Sequence, residues 1–219
     1  MINKTLVIEC AGRENFDPKD LISLLKADSE LNKLFNSDAD VYEYLTIEKH
    51  TILMMNQYEK YFSKNYNSIL LSKCEFRLAM ALHDIGKPIS VEKTGKRSDQ
   101  HLYTLEVVMP IIKDLGFSEK DQNIVYEMIN HDILGAYFCE RYDLARSVKE
   151  ICEIANRLKC GAVELLSLFR IFYFCDASSY TKNAGCRYSL DLLFDFSIPD
   201  FSAKIRTKYD LLSRGVETW

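Results

Sequence analysis

One ordered series of histidines and aspartates runs through this sequence. All four histidines of the chain belong to it, and its members are His50, His83, Asp84, His101, His131 and Asp176. Imidazole nitrogens and carboxylate oxygens together form a mixed ligand set for a divalent metal ion. Because the series extends from residue 50 to residue 176, separate helices must converge on one cavity to bring these side chains together. The series therefore predicts a metal site.

The dipeptide His83-Asp84 stands at the end of an apolar segment. This segment begins near Arg77 and runs into Gly86 and then Pro88, a residue that stops a helix. Neighbouring side chains on a helix point about 100° apart, so both members of the dipeptide can reach one ion where the last turn loosens. We expect both to be metal ligands.

The elements that carry these ligands are predicted to be helices. His50 lies in a stripe of apolar residues at helical spacing, within a long helix that starts at Ser37 or Asp38 and runs to about Phe62. The dipeptide ends a helix over residues 74–84. His50 and the dipeptide should therefore face the core, as ligands of a buried ion must.

Two further helices are expected to carry the next two histidines. His101 falls in the first turn of a helix that starts near Ser98, and Ser118 starts a helix that ends near His131. Residues 88–99, which precede His101, are polar and basic. We interpret them as a loop at the mouth of the site.

Asp176 belongs to the most apolar segment of the chain, which predicts a helix over residues 162–180. A carboxylate in so apolar a helix must have a partner, and metal ligation supplies one. Residues 18–28, 144–159 and 200–219 are also predicted to be helical.

Composition favours a single all-α domain. The 219 residues are 47% hydrophobic and 27% charged, with only 8 glycines and 4 prolines, and so few helix breakers favour long helices. The net charge of -4 and the pI near 5.7 argue against a general electrostatic grip on long nucleic acid. A local basic pocket for a small phosphate compound remains compatible with this charge.

The cysteines indicate a reducing compartment. There are seven and they form no CxxC pair, which is typical of reduced, buried thiols in a cytosolic protein. The sequence shows neither a signal peptide nor an apolar segment of membrane-spanning length. We therefore expect a soluble, cytoplasmic protein with no membrane partner.

The order H…HD…H…H…D, with His83-Asp84-Ile85-Gly86-Lys87-Pro88 at its centre, resembles the HD superfamily of metal-dependent phosphohydrolases. It is most similar to the HD domain of bacterial tRNA nucleotidyltransferases (CCA-adding enzymes), although this chain has Gln100-His101 where that family has Gly-His. The resemblance covers about residues 50–176, and no motif of the nucleotidyltransferase head occurs. It implies a helical bundle of about eight to ten helices in one domain, residues 1–219, with a core of about residues 38–182 and peripheral terminal helices.

The resemblance also implies roles for the series. The first ion would be bound by His50, His83, Asp84 and Asp176, with open positions for water and a substrate oxygen. Asp84 would also orient the attacking water. His101 and His131 are candidate catalytic residues with two alternative roles: they complete a second metal site bridged by Asp84, or they contact the substrate phosphoryl group.

Basic residues near the site are candidates for substrate binding. Lys87 could hold a phosphate oxygen, or it could simply be well placed at a helix C-terminus. Lys96 and Arg97 are weaker candidates in the predicted loop, and Lys182 and Asn183 could line the pocket. Asp132, in a second His-Asp dipeptide, is interpreted instead as a helix-end or solvent-facing carboxylate.

These observations predict a divalent-metal-dependent phosphohydrolase that acts on a phosphate ester of a nucleotide or an RNA end. The metal would be Mn, Mg, Ni, Co or Fe, with Zn as an alternative. A second ion at His101 and His131 would favour a 2',3'-cyclic phosphodiester, and this outcome is slightly preferred; a single ion would favour a nucleoside monophosphate. The alternatives are a nucleotide-binding sensor without turnover and, last, a protein-interaction scaffold.

Overall fold

The computed structural model describes residues 2–39, 45–96, 99–185, 194–195, 197 and 205–219. All regular elements assigned within these residues are helices, and Asp38 and Thr46 form an isolated antiparallel bridge. The prediction of an all-α bundle is therefore confirmed. The helices are α1 (Lys4–Gly12), α2 (Pro18–Leu25), α3 (Ser29–Asn36), α4 (Ile47–Tyr61), α5 (Lys73–Leu82), α6 (Lys87–Thr94), α7 (Gln100–Asp114), α8 (Glu119–Asn130), α9 (Ile133–Phe138), α10 (Leu144–Leu158), α11 (Ala162–Ser178) and α12 (Arg206–Glu217).

Local sequence sets several helix starts. Asp17 caps α2 by accepting a hydrogen bond from the Lys19 amide, and Pro18 follows it in the first turn, where proline is tolerated. Ser72 and Glu75 form a reciprocal capping box at the start of α5. Ser118 caps α8 as the sequence predicts, and α8 ends next to His131.

The start of α4 differs from the prediction. The helix begins at Ile47, where the Thr46 side chain accepts from the Lys49 amide. Ser37 instead follows the last residue of α3 in extended conformation. Residues 40–44 lie outside the described part of the chain. Both Ser37 and Thr46 are good caps, and the sequence alone does not choose between them.

The prediction of a loop over residues 88–99 is wrong in its first part, which forms α6. Pro88 does not stop a helix here. It occupies the first turn of a new one, where its missing N–H costs nothing. Gly95 ends α6 with a φ of +67°, a left-handed conformation that suits glycine. Two further helices, α1 and α9, were also not assigned from the sequence; the Asp132 side chain caps α9.

Helices α4, α5 and α11 form the centre of the bundle. Helix α4 packs against α2, α3, α5 and α11, while α11 also packs against α9, α10 and α12. Helix α7 crosses close to the end of α5, because a Cβ on Gly86 would lie 2.1 Å from the Thr104 nitrogen. Only glycine permits this approach.

A buried arginine ties three helices together. Arg77 on α5 is almost fully buried, and its guanidinium makes a bidentate ion pair with Glu59 on α4 at 2.8 and 2.9 Å. It also donates to the carbonyl oxygens of Ala11 and Arg13, both at 2.8 Å, and lies over the Phe16 ring. These contacts join the end of α1 to both central helices.

Across the described ranges of the chain, no helix is both long and apolar enough to cross a membrane.

Candidate metal centre

Four side chains of the predicted series converge on one point. His50 comes from α4, His83 and Asp84 directly follow α5, and Asp176 lies near the end of α11. One ligand atom from each lies within 4.8 Å of the others. His50 Nε2 is 3.0 Å from Asp176 Oδ1, 3.1 Å from Asp84 Oδ2 and 3.3 Å from His83 Nε2. Among the described residues this is the one such group of three or more potential ligands.

The group is buried on one side and open on the other. His50, His83 and Asp84 are buried, whereas about a third of the Asp176 side chain is exposed. Two carboxylates removed from water need a compensating positive charge, and a divalent ion would supply it. The open side of Asp176 leaves room for water and a ligand to reach such an ion.

Hydrogen bonds fix the tautomers of both histidines. His83 Nδ1 lies 2.8 Å from the carbonyl oxygen of Met80, which can only accept, so Nδ1 carries the proton. The Ser179 hydroxyl donates to the Asp176 carbonyl oxygen at 2.6 Å, so its oxygen accepts from His50 Nδ1 at 3.1 Å. In their neutral forms, both histidines therefore present the Nε2 lone pair to the centre, as metal-binding histidines do.

The two imidazole Nε2 atoms and the carboxylate oxygens of Asp84 and Asp176 are all potential hydrogen-bond acceptors, and few protons lie between them. Asp176 Oδ1 is buried, and no donor among the described residues makes a hydrogen bond to it. It lies 3.0 Å from His50 Nε2, but the assigned His50 proton is on Nδ1. Two imidazole nitrogens and two carboxylate oxygens arranged in this way fit a divalent ion at their centre.

The pKa shifts of His83, Asp84 and Asp176 also indicate that positive charge is favoured in this group. Burial opposes protonation of His83, but the Asp84 and Asp176 carboxylates outweigh it and raise the pKa of His83 to about 10. Burial also works against ionisation of Asp84, yet His83 and Lys87 hold the pKa of Asp84 well below its ordinary value. The pKa of Asp176 is likewise lowered, against its burial, by His50 and His83.

Lys87 is directed at a ligand. Its side chain is buried and its ammonium is paired with Asp84 Oδ2, the same oxygen that faces His50. It is the first residue of α6 and does not line the cavity next to the metal group. The structure therefore places Lys87 beside the group of potential ligands, where its ammonium stabilises the ionised form of Asp84.

A cavity of about 200 Å³ opens next to the metal group. His83, Asp84 and Asp176 form one side of it, and His101 and His131 lie on its wall. The rest of the lining is largely apolar and aromatic: Gln100, Met128, Ile129, Asp132, Leu134, Phe169, Phe172 and Tyr173. Five of the six members of the predicted series thus line this cavity, and the sixth, His50, is fully buried and faces Asp84 and Asp176.

His101 and His131 stay outside the four-residue group. Neither joins a cluster of three or more ligands within the described ranges. His131 Nε2 lies 3.0 Å from Glu127 Oε2, whereas no hydrogen bond or ion pair of His101 is found among the described residues. The geometry brings both histidines to the cavity without assembling a second metal site.

The structure does not bring Lys96, Lys182 or Asn183 to the cavity wall. Lys96 is exposed, and its hydrogen bonds are made by its backbone: the carbonyl oxygen accepts from the hydroxyls of Ser90 and Thr94, and the amide donates to Thr94 Oγ1. Arg97 lies outside the described residues. Lys182 and Asn183 are exposed in a short 3-10 turn and do not line the cavity.

Asp132 takes the helix-end role that the sequence analysis assigned to it. Its carboxylate accepts from the Gly135 amide at the start of α9 and pairs with Arg141.

Three residues at the site were missed by the sequence analysis. Ser179 orients His50, and the Tyr180 ring lies nearly parallel to the His50 ring, with centroids 4.6 Å apart and its hydroxyl 3.1 Å from Nε2. Glu127 holds His131. The spacing of four residues between Glu127 and His131 on one helix was a usable signal, whereas Ser179 and Tyr180 gave none.

Comparisons with protein-family models, curated proteins and solved structures found no match. The helical architecture and the His/Asp group are compatible with an HD-type domain. The chemistry of the site therefore rests on the geometry of its own residues.

Proposed function

We propose that this protein is a divalent-metal-dependent phosphohydrolase of the HD type that acts on a small phosphate ester, a nucleotide or an RNA terminus. The observation that carries the proposal is the group of four metal ligands at the edge of a cavity whose wall holds two further histidines. Metal ligation alone would need neither His101 nor His131. Their presence supports chemistry on a bound molecule.

A divalent ion at this position would act as a Lewis acid and lower the pKa of a bound water towards neutrality. The residues of the chain would do the rest. Asp84 would both bind the ion and orient the attacking water, and Lys87 would keep Asp84 ionised. His101 and His131 could contact the phosphoryl oxygens from the wall of the cavity. Two imidazoles and two carboxylates suit Mn, Fe, Co, Ni or Mg, with Zn as an alternative.

The number of metal sites helps to distinguish a phosphate monoester from a cyclic phosphodiester as the substrate. A two-ion site clamps the attacking and leaving oxygens, which suits a cyclic phosphodiester. The described residues assemble one group, with both remaining histidines outside it. This arrangement supports a single ion and a phosphate monoester, so we propose a nucleoside monophosphate as the preferred substrate over a 2',3'-cyclic nucleotide.

The cavity favours a small substrate. Its volume of about 200 Å³ lies below the range of about 300–1,000 Å³ that is common for drug-sized ligands. Its aromatic residues offer a surface for a planar group. An RNA substrate would therefore enter by its terminal nucleotide only.

The test is a side-by-side assay of nucleoside monophosphates, 2',3'-cyclic nucleotides and a nitrophenyl phosphate with Mg, Mn, Co and Ni. We expect hydrolysis of monophosphates and its loss in Asp176→Asn. Asp114→Asn is the matched control, because Asp114 is exposed at the end of α7 and pairs only with Lys4 among the described residues. A protein that binds the ion and a nucleotide but turns over no ester would be a sensor module instead.

A further inference from the structure

We propose that Glu127, supported by Arg157, is a positioning residue that holds His131 as the proton donor to the leaving oxygen of the substrate. This inference rests on the proposed phosphohydrolase function. It assigns different roles to the two histidines of the cavity wall and adds two residues to the machinery of the site.

The contacts form a chain from the surface to the cavity. Glu127 lies on α8, one helical turn before His131, and its carboxylate is largely buried. Its Oε2 is 3.0 Å from His131 Nε2. The Arg157 guanidinium, near the end of α10, donates to Oε1 at 3.0 Å and 3.3 Å and to Oε2 at 3.2 Å. His131 in turn lines the cavity beside the metal group.

Glu127 contacts the imidazole of His131 in addition to its ion pair with Arg157, and an ion pair between α8 and α10 would not require this second contact. A buried carboxylate needs a charged partner, and Arg157 alone would meet that need. Oε2 also accepts from Arg157 Nη2, at 3.2 Å, and in addition it lies 3.0 Å from the imidazole of His131, a cavity residue. A carboxylate that accepts from one ring nitrogen of a histidine fixes the orientation of the ring and leaves the other ring nitrogen for a bound molecule.

The proton can be followed through the two ring nitrogens. The Glu127 carboxylate can only accept, so it accepts a hydrogen bond from Nε2–H of His131. The Asn130 amide nitrogen lies 3.2 Å from the same ring nitrogen, and a 180° turn of this amide would bring its oxygen there as a second acceptor. No described residue hydrogen-bonds to Nδ1 of His131. Nδ1 is therefore the nitrogen that serves a bound molecule.

In the reaction, a water oxygen forms a bond to phosphorus and the bond between phosphorus and the ester oxygen breaks. In the proposed step His131 starts with a proton on each ring nitrogen, and the ester oxygen takes the proton on Nδ1 while the proton on Nε2 stays hydrogen-bonded to Glu127. One water is consumed, the alcohol and inorganic phosphate leave, and His131 regains a proton from solvent, to which the surplus proton of the attacking water passes. His101 has no comparable carboxylate partner in the described part of the chain, so we assign it contact with the phosphoryl oxygens.

A proton donor to the leaving oxygen matters most when the leaving group is poor. An alkyl oxygen, such as the ribose oxygen of a nucleoside monophosphate, needs the proton, whereas nitrophenolate is stable without it. General acid catalysis contributes about 10²–10⁴-fold to such reactions. Loss of the hydrogen bond between Glu127 and His131 should therefore slow hydrolysis of the alkyl ester far more than that of the nitrophenyl ester.

The experiment compares kcat/KM of Glu127→Gln on a nucleoside monophosphate and on nitrophenyl phosphate with Mn²⁺ bound. We expect the loss on the nucleotide to exceed that on the nitrophenyl ester by about tenfold or more, a part of the general-acid contribution. Glu150→Gln is the matched control, since Glu150 pairs with Arg146 on the surface of α10, away from the cavity. Its ratio of the two activities should equal that of the unmodified protein.

A second variant covers the case in which Glu127→Gln does not fold. Arg157→Met removes an exposed side chain and leaves the contact between Glu127 and His131 in place. We expect the same selective loss, but smaller. Equal losses on both esters in either variant would overturn the proposal and leave Glu127 a structural residue. If the unmodified protein binds Mn²⁺ but hydrolyses neither ester, the proposed function itself fails and this inference fails with it.

Discussion

Helices α4 and α5 share two buried polar clusters, one around Arg77 and one around His83. In the Arg77 cluster, the donors of the guanidinium meet acceptors: two oxygens of Glu59 and two backbone carbonyls. In the metal group, two imidazole nitrogens and two carboxylate oxygens face one another, and Asp176 Oδ1 has no donor within the described residues. The first cluster is complete in itself, and the second could hold a metal ion.

The same physical rule produces both clusters. A buried charge must be compensated, and a side chain that is already present can supply the compensation. Arg77 is such a side chain. In the metal group, only a proton on His83 and the neighbouring Lys87 are available, which is why the pKa of His83 is raised to about 10. A bound ion would replace that proton.

The largest effect is expected from breaking the complete cluster. Arg77→Met should lower the free energy of unfolding by about 3 kcal/mol, the lower end of the range for a broken buried pair, because Glu59 keeps some access to water. Urea denaturation measures it. The exposed pair of Arg141 and Asp132 provides the control, since Arg141→Met should cost less than about 1 kcal/mol. A loss as small as that control would show that Arg77 stabilises little.

The second effect separates the clusters by their response to metal. At a Mn²⁺ concentration of about 100 times the dissociation constant, the ion should stabilise the protein by about 2.7 kcal/mol. Arg77→Met should keep this gain and Asp176→Asn should lose it, as measured by thermal or urea unfolding with and without Mn²⁺. Retention of the full gain in Asp176→Asn would place the ion elsewhere.

Alanine substitutions at Gly86 and Gly12 compare how closely other atoms pack around the two clusters. An alanine at Gly86 would place its Cβ 2.1 Å from the Thr104 nitrogen, so α7 must move, at a cost of about 2 kcal/mol. Gly12 lies between Ala11 and Arg13 in the Arg77 cluster, and nothing lies within 4 Å of a Cβ there. Gly12→Ala should therefore change the free energy of unfolding by less than about 0.5 kcal/mol. Equal costs at both positions would contradict the close approach of α7.

Taken per pH unit, the smallest effect is a pH dependence of the metal group. Between the ordinary pKa of histidine, 6.5, and about 10, metal-free folded protein holds a proton on His83 that the unfolded chain lacks. Its contribution to stability is complete below pH 6.5 and is lost as the pH rises through about 10. Metal must displace this proton, so the affinity for Mn²⁺ should rise about tenfold, or about 1.4 kcal/mol, per pH unit within the window.

Calorimetric titrations at several pH values, in buffers of different ionisation enthalpy, would measure this affinity and the released proton. Arg77→Met should show the same slope. An affinity that does not change between pH 6.5 and 9 would mean that no proton leaves His83.

The candidate metal ligands could be predicted because the sequence places polar or charged side chains in segments that are otherwise expected to be buried. His50 lies in an apolar helical stripe, and Asp176 directly follows the apolar run of residues 171–175. Such positions tolerate a charged side chain only with a partner. The apolar lead-in to His83-Asp84 placed the dipeptide at a helix end, and the structure has it directly after α5.

Other features depend on choices that local sequence does not make. Pro88 can stop one helix or start the next, and here it starts α6. Lys87 could have reached the cavity, but tertiary packing directs it to Asp84. The spacing of Glu127 and His131 indicates that they are neighbours on one helix, but the contact of Glu127 with Arg157 arises only when α8 meets α10. Ser179 has no unusual local pattern, and its role arises only when the end of α11 meets α4.

The central claim is that His50, His83, Asp84 and Asp176 bind one divalent ion. The most direct test is an anomalous difference map from crystals grown with Mn²⁺. We predict a single peak about 2.0–2.2 Å from His50 Nε2, His83 Nε2, Asp84 Oδ2 and Asp176 Oδ1, distances usual for transition-metal ions with these ligands. No peak at these atoms, or an ion held elsewhere on the chain, would contradict the account.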